Sequence, residues 1–262
     1  MRWKWTLAGA VAIVLSYGAL ALDDATVYRM GREDGLFEDL TAVAFFSASL
    51  IFFILFLRNR NGNDLLIFKT RRNVFFLLLS LLFLFGAGEE ISWGQRIIGW
   101  DTPGRWGETN LQGETNFHNL NVFHRRDETG ATKSGVMLML NAERLFSVFW
   151  FGFCIIVPLL EMTWPAFRRL VQRIGMPIVP LLVGLLFLAN YFIAKALEPH
   201  AASRQLGWPL AEIKEFLYGV LFLIIAIYFA ASRTARPTPA ASTSPSPADA
   251  AIAPTVRPAS SG

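Results

Sequence analysis

Long apolar runs separated by short polar stretches dominate the chain, and six of them stand out, at roughly 5–22, 38–57, 74–92, 136–160, 177–197 and 210–231. Each is near the ~20 residues a helix needs to cross ~30 Å of hydrocarbon. None alternates apolar and polar positions as a membrane barrel strand must, so the runs predict helices. The expected fold is an all-α integral membrane protein with six transmembrane helices and no repeat relating its halves. From Ser232 the pattern changes to "SRTARPTPAASTSPSPADAAIAPTVRPASSG", which has almost no large apolar residues. Residues 1–231 therefore read as a polytopic membrane domain and 232–262 as a disordered Pro/Ala/Ser-rich tail.

The first run has two readings. "MRWKW" before a short apolar core, with "ALA" at 19–21, fits a cleaved signal peptide. Trp3 and Trp5 fit the interfacial anchor of a retained helix, which is the reading adopted. Arginines and lysines orient the chain. Arg2 and Lys4, five basic residues in "RNRNGNDLLIFKTRR", three in "TWPAFRRLVQR", and Arg233 with Arg236 all fall on one side of a six-helix chain. The positive-inside rule makes that side the cytoplasm, with both termini cytoplasmic in a bacterial inner membrane.

Composition narrows the class. Apolar residues are 53% of the chain and charged residues 17%, more apolar surface than a soluble domain can bury. The net charge of +4 is modest and its basic residues sit between apolar runs, which points to membrane lipids as partners and not to nucleic acid. Cys154 is the sole cysteine, so it forms no intramolecular disulfide, and it reads as a packing residue.

The candidate chemistry begins in "FGAGEEISWGQR". Phe75 to Phe85 carries no charge, and then Glu89 and Glu90 arrive together near the outer end of the third helix. A helix C-terminus is a poor place for anions, so two adjacent ones suggest a site. Gly86 and Gly94, one helical turn either side of Glu90, would leave its face bare, while Trp93 and Arg96 would continue the face of Glu89. In the fourth run Asn141, Glu143 and Arg144 interrupt the apolar sequence ~10 Å below its expected outer end at 1.5 Å per residue. Charges at that depth need partners or water. Asn190, Tyr191, Lys195 and Glu198 mark the outer end of the fifth helix, with His200 just beyond. Glu212 and Glu215 open the sixth, after Pro209. Polar groups of four helices thus collect at one level, the outer third of the membrane.

Above that level lies "TNLQGETNFHNLNVFHRR", residues 109–126. A helix from about Gly113 would put Glu114 and His118 at i, i+4, with Phe117, Leu120 and Phe123 as an apolar strip. That is the pattern of a short interfacial helix in the third connection. His124 beside Arg125 and Arg126 reads as a headgroup-facing cluster. "GEEISWGQRIIGWDTP" followed by "NLQGETNFHNL" resembles a motif pair of an uncharacterised family of bacterial polytopic membrane proteins. The resemblance implies that Glu89, Glu90, Trp93, Gln95, Glu114, Asn116, His118 and Asn119 act as one unit, and it implies no activity.

The leading expectation is a membrane enzyme acting on a lipid or lipid-linked substrate at the outer leaflet. Glu89, Glu90, Glu114 and His118 would be catalytic, by acid–base chemistry or through a divalent metal held by Glu90, Glu114 and His118. Such a set without cysteine suits zinc, manganese or iron. Trp93, Gln95, Arg96, Asn116, Asn119, Glu143, Arg144, Lys195, Glu212 and Glu215 would bind substrate. The alternatives are a proton- or cation-coupled transporter or flippase, and a non-catalytic assembly partner.

Overall fold

The computed structural model describes residues 3–32, 34–58, 72–110, 113–123, 133–135 and 141–234. Among them the chain is helical, with no strand and one isolated bridge, between Asn110 and Leu120. The helices are α1 (Trp3–Gly18), α2 (Asp24–Met30), α3 (Leu36–Arg58), α4 (Val74–Glu90), α5 (Gln95–Ile98), α6 (Gly104–Thr109), α7 (Ala142–Thr163), α8 (Pro165–Ile174), α9 (Leu181–Ser203) and α10 (Gly207–Thr234). Five of them are long and apolar enough to cross a membrane: α1 with its closing turn to Ala21, α3, α7, α9 and α10. The strongly apolar α4 has 17 residues.

The six long helices alternate in direction, and named contacts fix the sense of each pair. α4 runs antiparallel to α3, with Phe45 stacked on Phe83, Phe52 on Phe76, and the Ser49 hydroxyl donating to the Ser80 carbonyl at 2.8 Å. α7 runs antiparallel to α9, through Trp150 on Phe187 and Cys154 beside Gly184. It runs parallel to α10, through Phe146 on Tyr218 and Phe149 on Phe222. α10 is the central helix, and its Leu217, Leu221, Phe222 and Ile225 are fully buried. Outward faces carry Leu78, Leu81, Leu82, Leu182, Leu185 and Phe192 exposed, as lipid-facing helices do.

α1 belongs to this bundle. Its Ile13, with Leu20 in the turn that follows it, joins a buried cluster with Leu210 and Leu217. The Tyr17 hydroxyl donates to Asn190 Oδ1 at 2.7 Å, and Asn190 Nδ2 donates to the Lys214 carbonyl at 3.0 Å. A fully buried amide thereby ties α1, α9 and α10 together. In the middle of α7, the stretch Gly152–Ile156 is π-helical. It pushes the Cys154 carbonyl towards α9, where a Cβ on Gly184 would stand 2.0 Å from that oxygen. Gly184→Ala is therefore expected to cost about 1–3 kcal/mol through overpacking, seen as a lower thermal midpoint in detergent. An unchanged midpoint would show that α7 and α9 can separate freely.

Several sequence expectations shift. α4 ends at Glu90, so residues 91 and 92 are not helical continuation. α7 begins at Ala142 with Asn141 as its N-cap, Oδ1 accepting from the Arg144 amide at 3.1 Å. Glu143 and Arg144 thus sit in the first turn of α7 and not at depth within it, and an acid there suits the helix dipole. Residues 113–120 form bends and turns, followed by a single 3₁₀ turn at Asn121–Phe123. Glu114 and His118 are therefore not a helical i, i+4 pair, and among the described residues the short helices of this connection are α5 and α6 instead. Asparagines at 110, 116, 119 and 121 compete for backbone partners and favour turns over a helix. The basic connection 59–71, the His124/Arg125/Arg126 cluster, residues 136–140 and the tail from residue 235 lie outside the described residues, while Ser232 to Thr234 still belong to α10.

Candidate functional site

Adjacent residues on a helix point about 100° apart, and the two glutamates at the end of α4 face different surroundings. Glu89, 6% exposed, turns towards the segment after Asn110. Its Oε1 accepts from the Trp93 indole at 2.6 Å, and its Oε2 accepts from the amides of Phe117 and His118 at 2.7 and 2.8 Å. His118 Nδ1 stands 3.3 Å from the same Oε2. Four N–H or imidazole contacts thus compensate a carboxylate that the dipole of α4 would otherwise disfavour.

The turn that makes this possible is strained. Ser92 and Trp93 have φ of 45° and 55°, left-handed values that cost non-glycine residues ~1–2 kcal/mol each. Gly94 follows at φ 81°, so its role is to close this turn and not to bare a helical face of Glu90. Gly88 lies under the folded-back indole, where a Cβ would come within 2.9 Å of the Trp93 ring. Side chains on both flanks hold the turn in place. Ser92 donates its hydroxyl to Glu114 Oε2, and Asn116 Nδ2 donates to Ser92 Oγ at 3.1 Å and to Glu114 Oε2 at 3.2 Å.

The interlock continues outward. Gln95 Oε1 accepts from the Thr115 amide at 2.7 Å, and its Nε2 donates to Thr102 Oγ1 at 2.6 Å. Asn110 Nδ2 donates to Asn116 Oδ1 at 2.9 Å, while Asn110 Oδ1 accepts from the Glu114 amide at 3.2 Å. Asn116 is 1% exposed and Asn119 is also buried. The two motifs, some 20 residues apart, therefore close into one hydrogen-bonded knot. Asn116→Ala removes donors and an acceptor from a buried site and is expected to cost about 2–3 kcal/mol. The measurement is thermal stability in detergent, and a neutral effect would mean that the knot does not hold this loop.

Glu90 turns the other way, towards α3 and α10. The acids within its electrostatic reach are Glu215, Glu212 and Glu38, besides Glu89. Glu215 in turn lies within reach of Lys214, Glu143, His118 and Glu38. The Lys214 ammonium of α10 pairs with Glu143 Oε1 at 2.7 Å, which gives Glu143 a charged partner. Carboxylates from α3, α4, α7 and α10 thus lie within electrostatic reach of one another, and Glu215 within reach of the imidazole of His118, which is 44% exposed and uses Nδ1 towards Glu89.

The structure sorts the expected site residues. Glu89, His118, Trp93 and the backbone of 117–118 form one contact set, and Glu90, Glu212, Glu215 and Glu143 surround the other side. Glu114, Gln95 and Asn116 act as braces of the loop. Arg144 is half-buried in the first turn of α7, while the Arg96 side chain lies outside the described residues. Lys195 pairs with Glu198 at 2.8 Å on the exposed rim. His200 lies near Arg204, which is bound to Asp24 and to the Leu20 and Leu22 carbonyls. The Glu90/Glu114/His118 metal set is not assembled: Glu114 is drawn to Ser92 and His118 to Glu89. The described residues hold no group of three or more His, Cys, Asp or Glu placed to share one ion.

Three contributors escaped the sequence reading. Glu38 stands at the edge of the second apolar run and was not singled out; α3 starts at Leu36 and puts it in that helix's first turn. Lys214, between Glu212 and Glu215, was legible as a counter-charge in "AEIKEF". Ser92 carried no signal beyond its place in the motif. The geometry is what any functional reading rests on: no protein-family model, no curated protein and no solved structure matches the chain.

Proposed function

We propose that this chain is a membrane-embedded enzyme acting on a lipid or lipid-linked substrate at the outer leaflet. His118 serves as general acid–base, Glu89 orients its ring, and Glu90 with Glu215 supplies the second protonic group. The observation that carries the reading is the Glu89–His118 contact. A buried carboxylate holds one imidazole nitrogen while the ring remains accessible, with Glu215 within its electrostatic reach. In the cycle, Nε2 of His118 takes the proton of an attacking water or hydroxyl. Glu90 or Glu215 gives one to the leaving oxygen.

The placement in the membrane is part of the proposal. α4 crosses as a sixth span, supported by its antiparallel contact with α3 from Phe45/Phe83 to Phe52/Phe76. Seventeen residues rise ~25 Å at 1.5 Å each, a modest mismatch that flanking residues accommodate. Arg58, Arg168, Arg169 and Arg173 then share the end opposite the acids, so both termini face the cytoplasm of a bacterial inner membrane. The two interlocked motifs support membership of the resembling family. Reporter fusions within 58–72 and 165–175 are expected to read cytoplasmic and a fusion near residue 110 extracytoplasmic. The reverse pattern would overturn the placement. Retention of α1 is supported by the Tyr17–Asn190 tie, and a mature chain starting near Leu22 by mass spectrometry would refute it.

The test of function compares lipid extracts of cells lacking the gene and complemented with the wild type, His118→Gln or Glu161→Gln. A lipid or lipid-linked species should accumulate in the deletion and with His118→Gln, and return to normal with the wild type and Glu161→Gln. Full rescue by His118→Gln would sink the enzyme reading. A second reading, a non-catalytic assembly partner, is favoured by how thoroughly the knot at Glu114, Asn116 and Gln95 is hydrogen-bonded, and it predicts that full rescue. The transporter reading needs a polar path to the other face, where Phe52, Phe76, Phe222 and Phe229 pack the described core.

A further inference from the structure

The turn that follows α4 presents apolar side chains to its surroundings. Ile97 is 76% exposed, Ile98 70% and Trp100 44%, in a stretch whose Trp93 and Gln95 side chains are hydrogen-bonded. Ile97 and Ile98 lie side by side in the short helix α5, where water disfavours them and nothing in the described chain covers them. Their position relative to the outward face of α4 says what does. Leu78, Leu81, Leu82 and Phe85 are all exposed and fall at i, i+3, i+4 and i+7, one continuous stripe on that helix. The stripe does not stop at the helix end. Phe85 meets the Trp93 ring at 5.7 Å and the Phe117 ring at 5.7 Å, and Phe117 meets Trp106 edge-on at 4.8 Å. Beyond Trp93, the chain runs on to the exposed Ile97, Ile98 and Trp100.

From this continuity we propose that residues 93–100 form an interfacial foot, seated among the phospholipids of the outer leaflet at the boundary between headgroups and acyl chains. Its occupant is the bilayer the bundle spans. Tryptophans at 93 and 100 suit that boundary, since an indole carries an apolar body and one polar N–H. The Trp93 N–H is taken by Glu89, so the ring can lie in an apolar layer without an unpaired donor there. The strained left-handed turn at Ser92–Gly94 is what bends the chain back to this depth instead of out into water. The inference rests on the proposed membrane placement of the site, and it deepens it. Trp93 belongs both to the foot and to the Glu89 contact set, so lipid reaches the His118 side of the site along the foot and not through the aqueous loops.

The experiment measures depth and needs no activity. Cys154→Ala removes the native thiol, and Ile98→Cys or Trp100→Cys introduces one for an environment-sensitive fluorophore. The labelled protein is reconstituted in vesicles of phosphatidylcholine and phosphatidylglycerol. Labels at 98 and 100 should be quenched several-fold more by lipid spin-labelled near the headgroup than by aqueous iodide. A label at Glu108→Cys, an exposed position in α6, should show the opposite order. Adding Ile97→Glu should move the label at 100 towards iodide. Iodide-dominated quenching at both 98 and 100 would overturn the foot and leave the Glu89–His118 chemistry untouched. A lipid-quenched foot in a protein whose His118→Gln variant rescues fully would leave the foot standing and sink the enzyme.

Discussion

Glu89→Ala is expected to release the segment after Asn110 from the end of α4. Three N–H donors lose a charged acceptor: the Trp93 indole and the amides of Phe117 and His118. Hydrogen bonds to charged groups are worth about 1.5–3 kcal/mol each, and water reaches part of this loop, so the expected loss is about 3–5 kcal/mol. Removing an anion from a helix C-terminus returns only ~0.3–1 kcal/mol, so the loss wins. The thermal midpoint in detergent should fall by roughly 10 °C, at ~2–4 °C per kcal/mol for a chain of this size, and protease should cut near residue 117. Glu89→Gln should not restore the fold fully, because one amide face offers a second donor where the wild type offers an acceptor. If both variants melt like the wild type, Glu89 does not anchor the loop.

That anchor shows where sequence reading reached and where it stopped. The long helices were legible because an apolar run near bilayer length admits few other structures, though the start of α7 and the end of α9 fall six residues beyond the expected positions. That acids collect at one end of the bundle was legible too, since helices that alternate in direction bring those ends together. The 113–120 segment was misread. Glu114 and His118 have helical spacing, but spacing alone cannot weigh the asparagines around them, of which Asn110 binds the Glu114 amide and the Asn116 carbonyl. Nothing local in "GEEISWG" announces that Ser92 and Trp93 adopt left-handed backbone, because the compensation comes from Glu114 and Asn116, more than 20 residues on. The division of labour between Glu89 and Glu90 was equally hidden. It follows from one residue's difference in helical phase, combined with a tertiary partner on each side.

Glu90→Gln is the variant that separates chemistry from architecture. Glutamine keeps the size of the side chain and removes the titratable group, and no hydrogen bond of the described knot passes through Glu90. Folding should therefore be spared, and a neutral amide among Glu38, Glu212 and Glu215 even relieves like-charge repulsion. The thermal midpoint is expected to stay level or rise slightly, opposite in sign to Glu89→Gln. Activity, read as rescue of the lipid profile or as turnover once the substrate is known, should fall roughly 10²–10⁴-fold, the range for losing a general acid or base. Glu161→Gln is the matched control at the other end of the bundle. Glu161 meets Arg168 at 3.2 Å in a half-exposed pair, worth ~0–1 kcal/mol at most, so little should change. Loss of activity with a wild-type midpoint for Glu90→Gln, beside loss of stability for Glu89→Gln, would establish that two neighbouring glutamates do different work. Full activity in Glu90→Gln would remove Glu90 from the chemistry, and a collapsed midpoint would make the acid layer part of the scaffold.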